Sequence, residues 1–202
     1  MPHNLARRRL ASAAAHLNAR SPHGGRVPML VLMTDDERLA EPLLAARLLP
    51  KGAMIIVRSR DDARRSALAH TLMAVAHHRG LVVLIAEDAA LAARCGADGL
   101  HLPEAKARQA AHWRALRPRW FISASAHSLH AIASTRLVDA FFLSPVFPTR
   151  SHPGARPLTP CRANRMATAT RQPVYALGGV TSQNAALLRG FAGIAAIGAL
   201  VA

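Results

Sequence analysis

Residues 81–102 read LVVLIAEDAALAARCGADGLHL. An aliphatic run at 81–86 gives way to an Ala/Leu/Arg segment whose apolar residues recur at three- and four-residue steps. That segment closes on Gly96, and a second apolar run follows at 98–102. Runs without an apolar/polar alternation are buried on both faces, and a glycine just past a periodic segment marks a helix C-terminus. Two such strands joined through a helix make a parallel strand–helix–strand unit.

The same unit extends in both directions. Short aliphatic or β-branched runs stand at 29–34, 53–57, 81–86, 98–102, 120–125, 139–144, 173–177 and 194–197, and Gly80, Gly96 and Gly193 each mark a passage from helix to strand. Eight parallel strands, each followed by a helix, predict an α/β protein closed into a TIM (β/α)8 barrel, with an open doubly wound sheet as the structural alternative. The eighth run is followed only by GALVA, so the eighth outer helix is expected to be missing or truncated. Residues 1–26 form a basic N-terminal helical extension and 27–202 a single barrel domain. The arginines and alanines of the extension imitate an export signal, but His16, Asn18 and Arg20 interrupt its apolar stretch. A helix ending by Ser21-Pro22 and Gly24-Gly25 is expected instead, placed to shield part of the barrel wall or one barrel end.

Composition narrows the function. With 51% hydrophobic and 18% charged residues over 202 positions, the chain has the balance of a folded domain. Lys and Arg total 26 against 11 acidic residues, a formal charge of +15. The arginines are scattered, without interleaved aromatics, zinc-ligand spacing or a helix-turn-helix pattern, so the excess reads as a solvated surface that favours anionic small molecules over nucleic acid. Cys95 and Cys161 lie in no CxxC pair, which fits reduced thiols and a cytoplasmic location. No apolar run approaches the roughly 20 residues of a membrane span.

In a barrel of this kind, chemistry gathers in the loops that follow the strands. DAFFLSPVFPTRSHPGARPLTP (139–160) follows its sixth strand with a polar, proline-rich loop, the place for a lid carrying anion-binding donors. ALGGVTSQN (176–184) sets Gly178 and Gly179 after strand seven with Thr181 or Ser182 at the head of a helix, a phosphate cradle or else a tight turn. Gly198, after strand eight, would supply its other half. In VRSRDD, Arg58 and Arg60 alternate on an extended segment, either to clamp a diphosphate or to open a helix. Among the acidic residues after strands three and four, Glu87 is the best magnesium ligand, ahead of Asp88 and Glu104. His101 reads as a structural histidine facing the helix layer or the barrel core, and His127 as either a general acid/base or a neighbour of a helix cap.

LMTDDERL, GADGLHLPE, SASAHSLHAI, LSPVFPTRSH and ALGGVTSQNAALLRGFAGIAAIGAL occur in one order over about 29–200. Together they resemble the thiamine phosphate synthase and TenI superfamily. The resemblance implies a TIM barrel that joins an aminopyrimidine diphosphate to a hydroxyethylthiazole phosphate, with magnesium as cofactor and small phosphate or diphosphate molecules as partners. It gives Gly178, Gly179, Ile197 and Gly198 to the thiazole phosphate, with Thr149 and Ser151 helping from the lid. Arg58 and Arg60 would hold the diphosphate, with Ser125 meeting it from strand five. A homodimer stays open.

The sequence also departs from the family pattern. Ile56 replaces the glutamine expected to orient the pyrimidine, and Ala86 and Glu87 replace an Asn-Asp pair. Lys106 stands where a metal-binding aspartate is expected, after Pro103 and Glu104 in place of Gly-Gln, and Lys106 would carry positive charge there. His152 replaces the lid lysine, and Gly198 a serine. A TenI-like thiazole tautomerase is the second reading, although Pro145 replaces that branch's histidine, so His127 or His152 would move its proton. A noncatalytic thiazole-phosphate-binding regulatory paralogue is the third.

Overall fold

A computed structural model describes residues 2–135, 137–149, 154 and 156–198, with side chains from Leu5 onward. Eight parallel strands close in sequence order: β1 Leu30–Met33, β2 Met54–Val57, β3 Val82–Ala86, β4 Gly99–Leu102, β5 Phe121–Ala126, β6 Ala140–Leu143, β7 Val174–Ala176 and β8 Gly193–Ala196. Closure is made by β8 lying beside β1, with Leu30, Val31 and Leu32 opposite Ile194, Ala195 and Ala196. Each strand overlaps an apolar run read from the sequence. The barrel, rather than the open sheet, is therefore the architecture.

Alternation along each strand sorts the residues into two layers. Val31, Met33, Met54, Ile56, Leu84, Phe142 and Tyr175 fill the barrel interior. Leu30, Leu32, Ile55, Val57, Val83 and Ile85 face outward beneath the helices. Tyr175 stacks on Phe142 with ring centroids 4.9 Å apart, and its hydroxyl donates to the Pro28 carbonyl at 2.7 Å. Burial raises the Tyr175 pKa.

The outer helices are α1 Pro2–Ala19, α2 Pro42–Arg47, α3 Asp62–Arg79, α4 Ala89–Cys95, α5 Ala110–Leu116, α6 Leu129–Ser134 and α7 Pro160–Thr168. Asp61, Asp88, Ser128 and Thr159 cap α3, α4, α6 and α7 by accepting from the amides of Arg64, Leu91, Ala131 and Arg162. Helices α3 and α4 close on Gly80 and Gly96 at φ 62° and 70°, the left-handed turn that glycine adopts without a Cβ penalty.

Helix α1 packs against β8, β1 and a short turn at Asn184–Leu187, burying Leu10, Ala14 and Leu17 in the same apolar cluster as the barrel's outer layer. Its end is tied down by Asn18, whose side-chain amide donates to the Ala192 carbonyl at 2.6 Å and whose oxygen accepts from the Gly25 amide at 2.9 Å. The helix thus covers the wall where β8 meets β1. The residues after Gly198, on which the expected loss of an eighth helix turns, lie outside the described residues.

One expectation fails. The segment headed by Thr181 and Ser182 does not become an α-helix: the Thr181 hydroxyl accepts from the Asn184 amide at 3.2 Å and its carbonyl from the Ala185 amide at 3.0 Å, but the 3-10 turn at Asn184–Leu187 becomes extended at Leu188. The Asn164 side chain on α7 takes up the groups a helix would have used: its Nδ2 donates to the Leu187 carbonyl at 3.0 Å and its Oδ1 accepts from the Arg189 amide at 2.8 Å. With α1 already against this wall, the turn stays short.

Asn18→Ala leaves the buried Ala192 carbonyl without its donor, so a loss of about 1–3 kcal/mol in unfolding free energy is expected. Urea denaturation followed by circular dichroism measures it; an unchanged midpoint would show that the clip does not hold the helix.

Candidate functional site

The C-terminal ends of β2, β3 and β4 open onto a cavity of about 710 Å³, lined by Arg58, Arg60, Arg65 and Lys106 together with Glu87, Asp88 and Trp113. A second cavity, about 480 Å³, is lined by residues of α1, the start of β1 and the loop after α2. It lies at the N-terminal end of the strands, away from the loops that follow them.

The cationic cavity is built from the first two strands outward. Thr34, just past β1, spans to β2: its hydroxyl accepts from the Arg58 amide and donates to the Arg58 carbonyl, both at 2.7 Å. Asp35 pairs with the Arg58 guanidinium at 3.0 Å and with Arg38. Burial alone would raise the Asp35 carboxyl, but the Arg38 hydrogen bond and charge, helped by the Glu37 and Arg38 amides, hold it at about 2. Asp36 accepts from the Arg60 amide at 2.9 Å and the Ser59 hydroxyl at 3.0 Å, and the Arg60 amide is the chief cause that lowers its pKa. Thr34 and Asp36 fix the backbone of the VRSR segment, and Asp35 holds the Arg58 side chain. Arg58 and Arg60 thereby line one cavity, as their alternation suggests.

The far wall comes from β3, β4 and the segment after β4. Arg65 on α3 donates to the Ser59 carbonyl at 2.9 Å and meets Asp62 at 2.7 Å and Asp88 at 3.5 Å. Glu87 lies at φ 65°, the left-handed region that non-glycine residues rarely adopt, and its amide donates to the His101 carbonyl at 2.9 Å. Its carboxylate meets the Lys106 ammonium at 3.2 Å. The residues do not fit the expected magnesium ion. Glu87 already faces an ammonium, Asp88 caps α4, and among the described residues no three acidic, histidine or cysteine side chains converge on one point.

His101 faces the barrel interior. It is 4% exposed, stands edge-on to Phe142, and spans two serines of β5: Nδ1 lies 2.9 Å from the Ser123 hydroxyl and Nε2 3.0 Å from the Ser125 hydroxyl. Burial, with a smaller contribution from the Arg58 charge, lowers its pKa to about 3, so the ring is neutral. Ser125 is thus held from below at the mouth of the barrel. His127, exposed after β5, lies with Nδ1 2.7 Å from the Ser144 carbonyl, a pairing that puts the proton on Nδ1 and leaves Nε2 as a free lone pair. The Glu104 carboxylate accepts from its backbone amide.

Across the mouth, the β6 loop folds over the β7 turn. The Val146 and Phe147 amides donate to the Leu177 and Gly178 carbonyls, each at 3.0 Å, and the Leu158 amide returns to the Pro145 carbonyl at 2.9 Å. Gly178 and Gly179 have φ 89° and 65°, and a Cβ on Gly179 would come within 2.3 Å of the Pro148 carbonyl oxygen. The turn is held below by Asn184, which donates to the Gly179 carbonyl at 2.8 Å. Ile197 and Gly198 lie half-buried just beyond β8, and Thr149 half-buried in the β6 loop. Ser151 and His152 lie outside the described residues.

Arg58, Arg60 and Glu87 are thus gathered on one cavity, Ser125 and His127 follow β5, and the two glycines stand after β7. Thr34, Arg65, Ser144 and Trp113 escaped the sequence reading. Thr34 ends the first apolar run and so carried a positional signal. Arg65 and Trp113 sit on helices, where spacing along a strand says nothing about them.

A family model described as thiamine monophosphate synthase matches residues 30–200. A thiamine-phosphate synthase of Chlorobium luteolum is 35% identical over 189 residues, covering 89% of this chain and 87% of its own. One from Thiobacillus denitrificans is 32% identical over 163 residues, covering 76% and 75%. Among solved structures, a thiamine phosphate pyrophosphorylase from Pyrococcus furiosus superposes with a TM-score of 0.67 over 90% of this chain and 87% of that one, at 21% identity, a likeness of fold.

The neutral, buried His101 sets a pH dependence of stability. Unfolded histidine takes up a proton below about 6.5, while the folded ring resists until about 3, so stability is full above pH 6.5 and declines as pH falls through that window. At pH 5 the expected loss is about 2 kcal/mol. Denaturation midpoints at pH 7.5 and 5 measure it, and His101→Gln should flatten the slope; an equal slope in the variant would place the effect elsewhere.

Proposed function

Because the chain belongs to the thiamine monophosphate synthase family, we propose that it joins an aminopyrimidine diphosphate to a hydroxyethylthiazole phosphate and releases pyrophosphate. The observation that supports it is that one barrel mouth carries both a cavity lined by Arg58, Arg60, Arg65 and Lys106 and, after β7, the Gly178–Gly179 turn. In the reaction the bond from the pyrimidine methylene carbon to the diphosphate oxygen breaks, its electron pair leaving with pyrophosphate. The thiazole nitrogen then supplies the pair for the new C–N bond.

Each group has a physical task. Arg58 and Arg60 stabilise the negative charge that grows on the departing diphosphate, and Arg58 is oriented for this by Asp35. Ser125, supported by His101, donates to a diphosphate oxygen. The half-buried turn at Gly178 and Gly179, with Ile197 and Gly198 beside it, receives the thiazole phosphate, with Thr149 helping from the β6 loop. The aminopyrimidine has no glutamine at position 56 to orient it, since Ile56 is buried in the barrel interior.

His127 supports a second reading. With Nδ1 bonded to the Ser144 carbonyl, its Nε2 can take a proton from a thiazole ring and return it elsewhere, which is tautomerase chemistry. The readings separate on pyrophosphate, which a tautomerase does not release.

Purified protein given both substrates is expected to release pyrophosphate at a rate that requires both, and Arg60→Ala is expected to lower kcat about 10²-fold. A coupled phosphate assay measures both. Absence of release at saturating substrates, together with thiazole isomerisation that is lost in His127→Ala, would transfer the activity to the tautomerase reading.

A further inference from the structure

We infer that Lys106 is the resident cation of the diphosphate cavity, and that this pocket binds pyrophosphate without a divalent metal. The inference deepens the synthase reading and rests on it for the identity of the organic substrate.

Each carboxylate around the cavity has a positive or amide partner on at least one oxygen. A magnesium ion bound through protein needs free carboxylate oxygens near 2.1 Å in octahedral array, with phosphate oxygens and waters completing the shell. Glu87 offers its Oε2 to the Lys106 ammonium at 3.2 Å. Asp88 gives one oxygen to the Leu91 amide at 2.8 Å, while the other approaches Arg65 at 3.5 Å. Asp62 is paired with Arg65 at 2.7 Å, and Glu104 accepts from the His127 amide. What the cavity offers an anion is therefore a set of positive groups.

Lys106 differs from the arginines in how it is held. Arg65 is only 13% exposed and joined to three partners, a rigid wall, whereas Lys106 and Glu87 are each about half exposed, at 48% and 49%. The Lys106 ammonium carries three donors, so it can meet a pyrophosphate oxygen while Glu87 still holds it, and lysine binds phosphate as a movable point charge. Glu87 then serves to park the ammonium over the cavity. Its backbone is fixed for that by the left-handed φ of 65° and by the amide bond to the His101 carbonyl. Non-glycine residues keep such a conformation where the surroundings over-determine it, characteristically at functional sites.

The test is isothermal titration of the protein with inorganic pyrophosphate, once in excess EDTA and once in millimolar magnesium, with the fluorescence of Trp113, which lines the cavity, as a second signal. Binding in EDTA within about threefold of that in magnesium is expected. Lys106→Ala should weaken binding in EDTA at least tenfold, Lys106→Arg should restore most of it, and Lys106→Asp should bind only when magnesium is added. Binding by the unaltered protein that requires magnesium, absence of binding under both conditions, or indifference to Lys106→Ala in a variant with an unchanged melting temperature would each overturn the inference. A parallel condensation assay keeps the two readings apart. Pyrophosphate bound in EDTA with no product formed under either condition would sink the synthase reading and leave the role of Lys106 standing.

Discussion

Everything at the mouth depends on the pairing of β8 with β1. An open sheet would leave two edges with unpaired backbone groups and would send the loops after its strands along a line. Closure turns that line into a ring, so that residues far apart in sequence, such as Arg58, Ser125 and Gly179, stand over one opening. The seam that makes the ring is the stretch of wall covered by α1, and Asn18 clips this helix to the carbonyl just before β8. A helix at the beginning of the sequence thus backs the last strand, and the two ends of the barrel's sequence are joined both by strand pairing and by side chains.

The charge of the chain is organised more closely than its scatter along the sequence suggests. Asp35 and Asp36 are spent on Arg38, Arg58, Arg64 and the backbone of Arg60, while Asp62 and Asp88 are spent on Arg65. These acidic groups act as braces behind the cations and lower the cost of setting several positive charges around one cavity. An anion entering there meets donors already oriented, so less ordering is left for binding to supply.

Much of the architecture could be read from the chain because strand burial and helix period are local signals. The eight apolar runs contain the eight strands almost residue for residue, and Gly80 and Gly96 mark helix ends as glycines do. What could not be read depended on partners distant in sequence. The turn after β7 carried good helix-starting residues, yet Asn164 from α7 and the packing of α1 stopped it at one turn. His101 left two faces open until its strand position put it inside the barrel. Arg65 and Trp113 join the cavity through helix packing. Lys106 was visible as a departure from the family pattern, but its contact with Glu87 arises across the gap between β3 and β4, where no sequence spacing reaches.

The histidine inside the barrel has a further consequence. A neutral imidazole carries one N–H and one bare nitrogen, so its two serine neighbours cannot be treated alike. When an anion accepts the hydroxyl hydrogen of Ser125, the Ser125 oxygen turns to receive a hydrogen from Nε2, and the lone pair left on Nδ1 takes the hydrogen of Ser123. The direction of the Ser125 hydroxyl therefore sets a row of three dipoles running inward across two strands. The two serines are thus coupled through the ring by the placement of protons and not by any movement of the backbone.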